Sequence, residues 1–398
     1  MNKKQTTMNK ILKWPVLLAC SLVLAAGPAS CSDDDAPADN LAESAKEQAL
    51  KRAVEPFVSH TVIPTYRGMA DAALELYKKC QTILDHFDAG TLTEADIASA
   101  GQSWNEARSY WELSEAFLFG AATDYNIDPH IDSWPLDKVS MDAMLGNEAQ
   151  MAQMSPEYVS NNLGYGLLGF HAVEYLLFEL SADGQQSQTH STSYTRPQLV
   201  YLTAVAGDLS LQCTRLEASW AGLEGVTAEK QQMLADAELE PTRNYGESML
   251  HAGQGGSLYK NYQDAAEEII QGCIDIADEV GAQKIGRPNG AASQEDINYI
   301  ESPYSLNSIV DFRDNIVSIR NAYEGSRADD ASISDYIRSV NPDLDTRVSQ
   351  AIEASIQAIE AIPEPFAQTA TGPEATRAIE VIAELSRTLS EVSTQLAK

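Results

Sequence analysis

The chain has 398 residues, with 58 acidic against 27 basic side chains and a formal net charge of −31. That charge repels phosphate backbones and anionic lipid surfaces, so it excludes nucleic-acid binding and electrostatic attachment to membranes as main roles. The length exceeds one comfortable hydrophobic core, so two domains are expected.

Residues 1–30 read as an export signal. Lys3, Lys4, Lys10 and Lys13 precede an apolar stretch from Trp14 to Ala26 that is too short to span a bilayer comfortably. The signal ends in "GPASC", and it resembles a bacterial lipoprotein signal in which Cys31 becomes the lipidated N-terminus. Removing residues 1–30 takes away four lysines and no acid, moving the formal charge from −31 to −35. The "SDDDAPADN" that follows Cys31 is poor in apolar residues, so residues 31–42 are expected to form an acidic flexible tether. "CSDDD" also resembles the surface-export signal of Bacteroidetes lipoproteins. That likeness implies an outer-membrane lipoprotein, exposed at the cell surface or facing the periplasm.

From there on, strand signals are scarce and helical periodicity recurs, so the fold class is all-α with two helical bundles. Residues 43–224 are expected to form the first bundle and 225–398 the second. Residues 41–84 carry apolar positions at helical spacing, with breaks or kinks expected at Pro56 and Pro64. Thr93 is positioned to cap the next helix and Gly120 to stop it. Residues 121–140 hold two prolines and many aspartates, which makes a loop. A helix is then expected from about Pro156 to Leu180. Thr195, with Pro197 in the first turn, caps another. "GLEGVT" marks the expected domain boundary, and Thr227 starts the second bundle. Its last third, "DTRVSQAIEASIQAIEAI" and "PEATRAIEVIAELSRTLSEVSTQLA", reads as a helical hairpin. Cys80, Cys213 and Cys273 show no metal or redox spacing, and either one disulfide with a buried thiol or three buried thiols fits.

The stretch "GLLGFHAVEYLLFEL" (166–180) is apolar nearly all round, so a helix here is buried, yet it contains His171 and Glu174. A buried carboxylate costs several kcal/mol unless it is paired, protonated or bound to a metal. Residues three apart share a helix face, so the two side chains can converge on one cation or polar ligand. A neutral histidine satisfied by the glutamate inside a bundle explains them equally well. On that second explanation, replacing both by leucine removes the polar demand and restores stability. Gly164, Gly166 and Gly169 just before them suggest close approach of another backbone or of a ligand. No Gly-x-Ser-x-Gly elbow occurs, and "GQGGS" (253–257) lacks the lysine of a phosphate loop.

Gly169, His171 and Glu174 form a Gly-x-His-x-x-Glu pattern that resembles the signature of the imelysin family, also classed as M75 peptidases. "VIPTY" (62–66), "WNEARSYWELSEAFLFG" (104–120), "DPHIDSWPLD" (128–137) and "ESPYSLNSIVDFRDNIVSIRNAYEG" (301–325) are similar to its flanking motifs, in the right order. The resemblance implies an all-helical, two-bundle fold and a site where these motifs meet, linked to iron or haem uptake. It makes His171 and Glu174 the central pair. Arg108, Glu115, Asp132 and Trp134 follow as supports from the first half, with Ser305 and Asp311 from the second. Arg108 and Glu115 lie seven apart and are expected on one helix face.

The first functional expectation is a binder of a metal, haem or small anionic ligand, working with outer-membrane uptake machinery; iron, another divalent metal and haem all stay open. The second is a metallopeptidase using His171 and Glu174. Zincin helices carry a second histidine, whereas Tyr175 stands at that place here, and catalytic zinc needs three protein ligands. The third is a structural or adhesive surface protein.

Overall fold

A computed structural model describes residues 38–398, with side chains from Ser44 onward. Cys31, the signal 1–30 and most of the expected tether lie outside the described residues. Helix α1 (Ala38–Pro56) takes up the last residues of that tether. The prolines do not break the chain's helical course: α1 passes at Pro56 into a π-helical stretch, Phe57–Val62, which runs on into α2 (Ile63–Asp88) with Pro64 in its first turn. Thr93 caps α3 (Glu94–Glu112) through a reciprocal bond with Asp96. No helix among the described residues is long and apolar enough to cross a membrane.

The helix expected over 156–180 is instead broken into pieces. It comprises α4 (Pro156–Asn162), a short turn, α5 (Gly169–Leu177) and the strand β1 (Phe178–Leu180). Strand β1 pairs antiparallel with β2 (Ser187–Thr189), Phe178 opposite Thr189. The physical reason is Gly169, whose φ of +75° no continuous α-helix tolerates. Phe178, a good strand residue, then packs edge-on against Trp104 with ring centroids 5.3 Å apart.

Helix α6 (Arg196–Ala221), capped by Thr195, packs along α2, and α3 covers the other side of α2 to complete the first bundle with α5. The expected boundary at 224/225 falls inside this bundle's packing. Gly222, at φ +78°, turns the chain back. Helices α7 (Ala228–Asp236) and α8 (Tyr245–Leu250) therefore still lie against α6. Gly246 makes this possible for α8, since a Cβ there would sit 2.3 Å from the carbonyl oxygen of Trp220.

The second bundle consists of α9 (Tyr262–Glu279), α10 (Ser308–Glu324), α11 (Pro342–Glu360) and α12 (Pro373–Leu396). The terminal pair α11 and α12 packs as the expected hairpin and closes over α9 and α10. Two seams join the bundles within residues 43–398: α10 lies on α3, and α9 lies on the 115–117 turn. Gly272 permits the second seam, because a Cβ there would meet the Ala116 carbonyl oxygen at 2.3 Å. All three cysteines are free and buried, so no disulfide forms among them.

Candidate metal centre between the bundles

Gly169 explains how the two central motifs meet. A Cβ on it would lie 2.2 Å from the carbonyl oxygen of Ile131, so only glycine lets the start of α5 touch that backbone. The contact brings Asp132 against His171. The His171 Nε2 atom lies 3.0 Å from Asp132 Oδ1, but it makes no well-directed hydrogen bond. Its Nδ1 atom lies 3.1 Å from Glu174 Oε2. Both ring nitrogens thus face carboxylates. Burial lowers the imidazole's proton affinity, yet the nearby carboxylates of Asp132 and Glu174 outweigh it and raise the pKa to about 9.

Glu174 is fully buried and does more than pair with the histidine. Its Oε1 accepts from the backbone N–H of Tyr304 (2.9 Å), the N–H of Ser305 (2.8 Å) and the Ser305 hydroxyl (2.8 Å). It therefore fixes a loop of the second half in which Ser302 and Leu306 hold positive φ values of 48° and 60°. This corrects the expectation for the double leucine replacement. Removing Glu174 would orphan two backbone amides, so the pair is not a self-contained polar demand.

Arg108 sits beneath this pair with no solvent exposure. Its guanidinium donates to Asp132, to Glu301 Oε1 (2.6 Å) and to Asp311 Oδ2 (3.3 Å), and it lies 2.5 Å from Glu112 Oε1. Trp111 Nε1 donates to Asp132 Oδ2 at 2.6 Å. Glu115 does not share a helix face with Arg108 as expected. Helix α3 ends at Glu112, and the Ser114 hydroxyl satisfies the Trp111 carbonyl while the chain tightens into the 115–117 turn. Glu115 consequently faces Lys284, 3.5 Å from its Nζ. Trp134 lies tilted against His171, with centroids 6.0 Å apart, and Lys284 Nζ lies 5.4 Å from the Trp134 ring centroid.

Three members of this cluster were not singled out from the sequence. Glu112 is one helical turn from Arg108, and Glu301 opens the "ESPYS" motif, so both had a signal. Lys284 had none; it ends a π-helical stretch, Val280–Lys284, that continues α9.

Acidic groups outnumber basic ones here. Glu112, Glu115, Asp132, Glu174, Glu301 and Asp311 are buried against two permanent cations, Arg108 and Lys284, plus His171. Burial pushes Glu301 up to about 8 against the pull of Lys284, and Asp311 up to about 7 against that of Arg108. Burial also raises Glu115 well above its ordinary range. Asp132 is the exception: burial acts to raise it, but Arg108 and His171 hold it well below the usual carboxylate range. The cluster stores protons that a cation could displace.

Asp132, His171 and Glu301 each offer one ligand atom within 4.8 Å of the others. Glu301 Oε2 and His171 Nε2 are both buried without a hydrogen-bond partner among the described residues. One imidazole with two carboxylates suits iron, zinc and similar borderline cations. Glu174, on the far ring nitrogen, would orient the imidazole as carboxylates do for metal-binding histidines. A cavity of about 520 Å³ reaches His171 and Glu174 of this cluster and is walled by Trp134, Leu136, Ile297, Ile300, Pro303 and Tyr304.

The sequence model of the imelysin family, peptidase M75, matches residues 62–392. The chain is 29% identical over 331 residues to iron-regulated protein A of Synechococcus elongatus, covering 82% of this chain and 80% of that protein. Among solved structures it is similar to one described as an iron-regulated protein A precursor from Parabacteroides distasonis, at TM-score 0.74 and 26% identity. That match covers 88% of this chain and 95% of the other. An imelysin-like protein from Psychrobacter arcticum shares the fold at TM-score 0.56 and 15% identity, over 88% of this chain and 94% of its own. The chain belongs to the imelysin family.

Proposed function

We propose that the protein is a cell-envelope lipoprotein that binds a metal ion or a metal-containing ligand at the Asp132–His171–Glu301 centre during iron acquisition. The observation that carries this reading is the pair of buried, unpartnered atoms, His171 Nε2 and Glu301 Oε2, converging with Asp132 in an acid-rich interior. The neutral alternative, a histidine satisfied by one glutamate, does not account for Asp132 at the other ring nitrogen. The name iron-regulated, borne by similar proteins, favours iron or haem among the ligands.

His171, Asp132 and Glu301 would hold the metal, which would supply positive charge that the buried acids lack. Glu174 orients the ring and anchors the 301–307 loop. With Oε1 already accepting three hydrogen bonds, Glu174 is poorly disposed to act as the proton-accepting base that a metallopeptidase needs. The Trp134-walled cavity would admit the ligand. Attachment through a lipid on Cys31, in the outer membrane beside uptake machinery, belongs to the same proposal. Mass spectrometry of the membrane fraction tests it, and an intact Met1 would overturn it.

Calorimetric titration with Fe(III), Cu(II), Zn(II) and haem tests the centre, comparing the parent with His171→Leu, which leaves Glu174 in place. The parent should bind at least one of these, and the variant should bind it at least about tenfold more weakly. A parent that binds none, or a variant that binds equally, sinks the reading. Because a metal must displace the proton that His171 holds up to a pKa of about 9, affinity should rise with pH from 6 to 9. Chelator-sensitive peptidase activity lost in His171→Leu would favour the enzyme instead.

A further inference from the structure

Lys284 is surrounded as a metal ion would be. It is 1% exposed, and its ammonium lies 3.0 Å from Glu301 Oε1, 3.5 Å from Glu112 Oε2 and 3.5 Å from Glu115 Oε1. Two overlapping sets of carboxylates are shared between this ammonium and the Arg108 guanidinium. Glu112, Glu301 and Asp311 form one and Glu112, Glu115 and Asp132 the other, each with oxygens within 4.8 Å of one another. Metal–oxygen bonds of about 2.0–2.6 Å can bridge such spacings after small adjustments. Glu301 belongs to the first of these sets and also to the Asp132–His171–Glu301 triad, and its Oε2 is fully buried with no partner. A carboxylate shared between two neighbouring cation positions is what two-metal sites use.

We propose that the Lys284 ammonium stands in for a second metal cation and thereby limits the centre to one. Lysine suits that role because its ammonium is a compact point charge, unlike the planar guanidinium beside it. The two positions are both cationic, and Glu301 couples them. The second position also has its own approach. A cavity of about 280 Å³ opens onto Glu115 and is lined further by Glu268, Asp275 and Glu279, with no basic side chain in its wall. Glu115 itself is 6% exposed and makes no side-chain hydrogen bond among the described residues, having only Lys284 at 3.5 Å. All donors at this position are carboxylate oxygens, so the cation it would take is a hard divalent one such as manganese, ferrous iron or magnesium. The inference rests on the proposed function only for the first cation.

The test removes the ammonium and counts ions. Full-length parent, Lys284→Met and Lys284→Arg proteins, stripped with chelator, are titrated with Mn(II) and followed by electron paramagnetic resonance, metal analysis and thermal melting. Lys284→Met should take up one more Mn(II) per chain than the parent. Its melting temperature, lowered in the stripped form, should climb back on adding Mn(II). Lys284→Arg keeps a cation in place and should show neither effect. Equal stoichiometry in Lys284→Met and parent overturns the inference, and so does a Lys284→Met protein that stays unfolded at every Mn(II) concentration. If the parent binds no metal while Lys284→Met binds one, the first centre fails and this inference stands.

Discussion

Two clusters of buried charge can be compared within this chain. Around Lys230, which joins α7 to α6 and α2, the ammonium lies 2.5 Å from Glu217 Oε2 and 2.6 Å from Asp71 Oδ1, and Arg67 donates to Glu217 Oε1 at 3.2 Å. Two cations meet two carboxylates, and both oxygens of the buried glutamate are used. Arg67 and Asp71 reach out to solvent at 49% and 60% exposure. Around Arg108, six carboxyl groups meet two permanent cations and one histidine, and buried oxygen and nitrogen atoms lack partners. The first cluster is a fastening between helices. The second holds more acids than cations, an excess that protons or a further cation would neutralise, so the mark of a site is that excess rather than buried charge as such.

The largest effect should come from Arg108→Met. It strips the guanidinium from Glu112, Asp132, Glu301 and Asp311 together and should lower stability by about 3–5 kcal/mol or more in denaturant melts. Adding Asp311→Asn should recover only part of that loss; full recovery would mean the cluster behaves as a simple pair.

Gly169→Ala should come next, at about 3 kcal/mol, because it combines a left-handed φ with a clash against the Ile131 backbone. It should also weaken metal binding, since it pushes Asp132 from His171. A variant as stable as the parent would show that the close approach is not needed.

At the balanced cluster, Lys230→Met alone should cost about 3 kcal/mol. The double variant Lys230→Met with Glu217→Leu should return to within about 1 kcal/mol of the parent. A double variant no better than the single would erase the contrast with Arg108.

The mildest perturbation is pH, acting on the Arg108 cluster. Glu301 rises from 4.5 to about 8 on folding, Asp311 from 3.8 to about 7 and His171 from 6.5 to about 9. Each folded-state pKa is raised, so each contribution is present below the unfolded value and is lost as pH climbs through the folded one. Asp132 acts oppositely, losing its contribution only in acid. Metal-free protein should therefore melt at progressively lower temperature from pH 5 to pH 9. Glu301→Gln should flatten that slope, and a slope unchanged in Glu301→Gln would count against proton storage at this residue.

Much of the fold was legible because helix signals are local. Thr93, Thr195 and Thr227 cap the helices expected of them, and α11 with α12 follows its apolar period into a hairpin. His171 and Glu174 could be paired from their spacing alone. Less legible were the breaks, because the run from Pro156 to Leu180 looks continuous until Gly169 meets the backbone of Ile131.

The sequence by itself therefore determined an all-helical chain, its caps, and one polar pair buried in an apolar helix, since propensity and periodicity act over a few residues. Tertiary structure alone decided which distant groups share that interior. Along the chain Glu301 is 127 residues from Glu174 and Lys284 is 113 from His171; in space Glu301 stands with Asp132 and His171, and Lys284 pairs with Glu301. Charge imbalance is a sum over all neighbours in a low-dielectric volume, and no local stretch of sequence contains that sum.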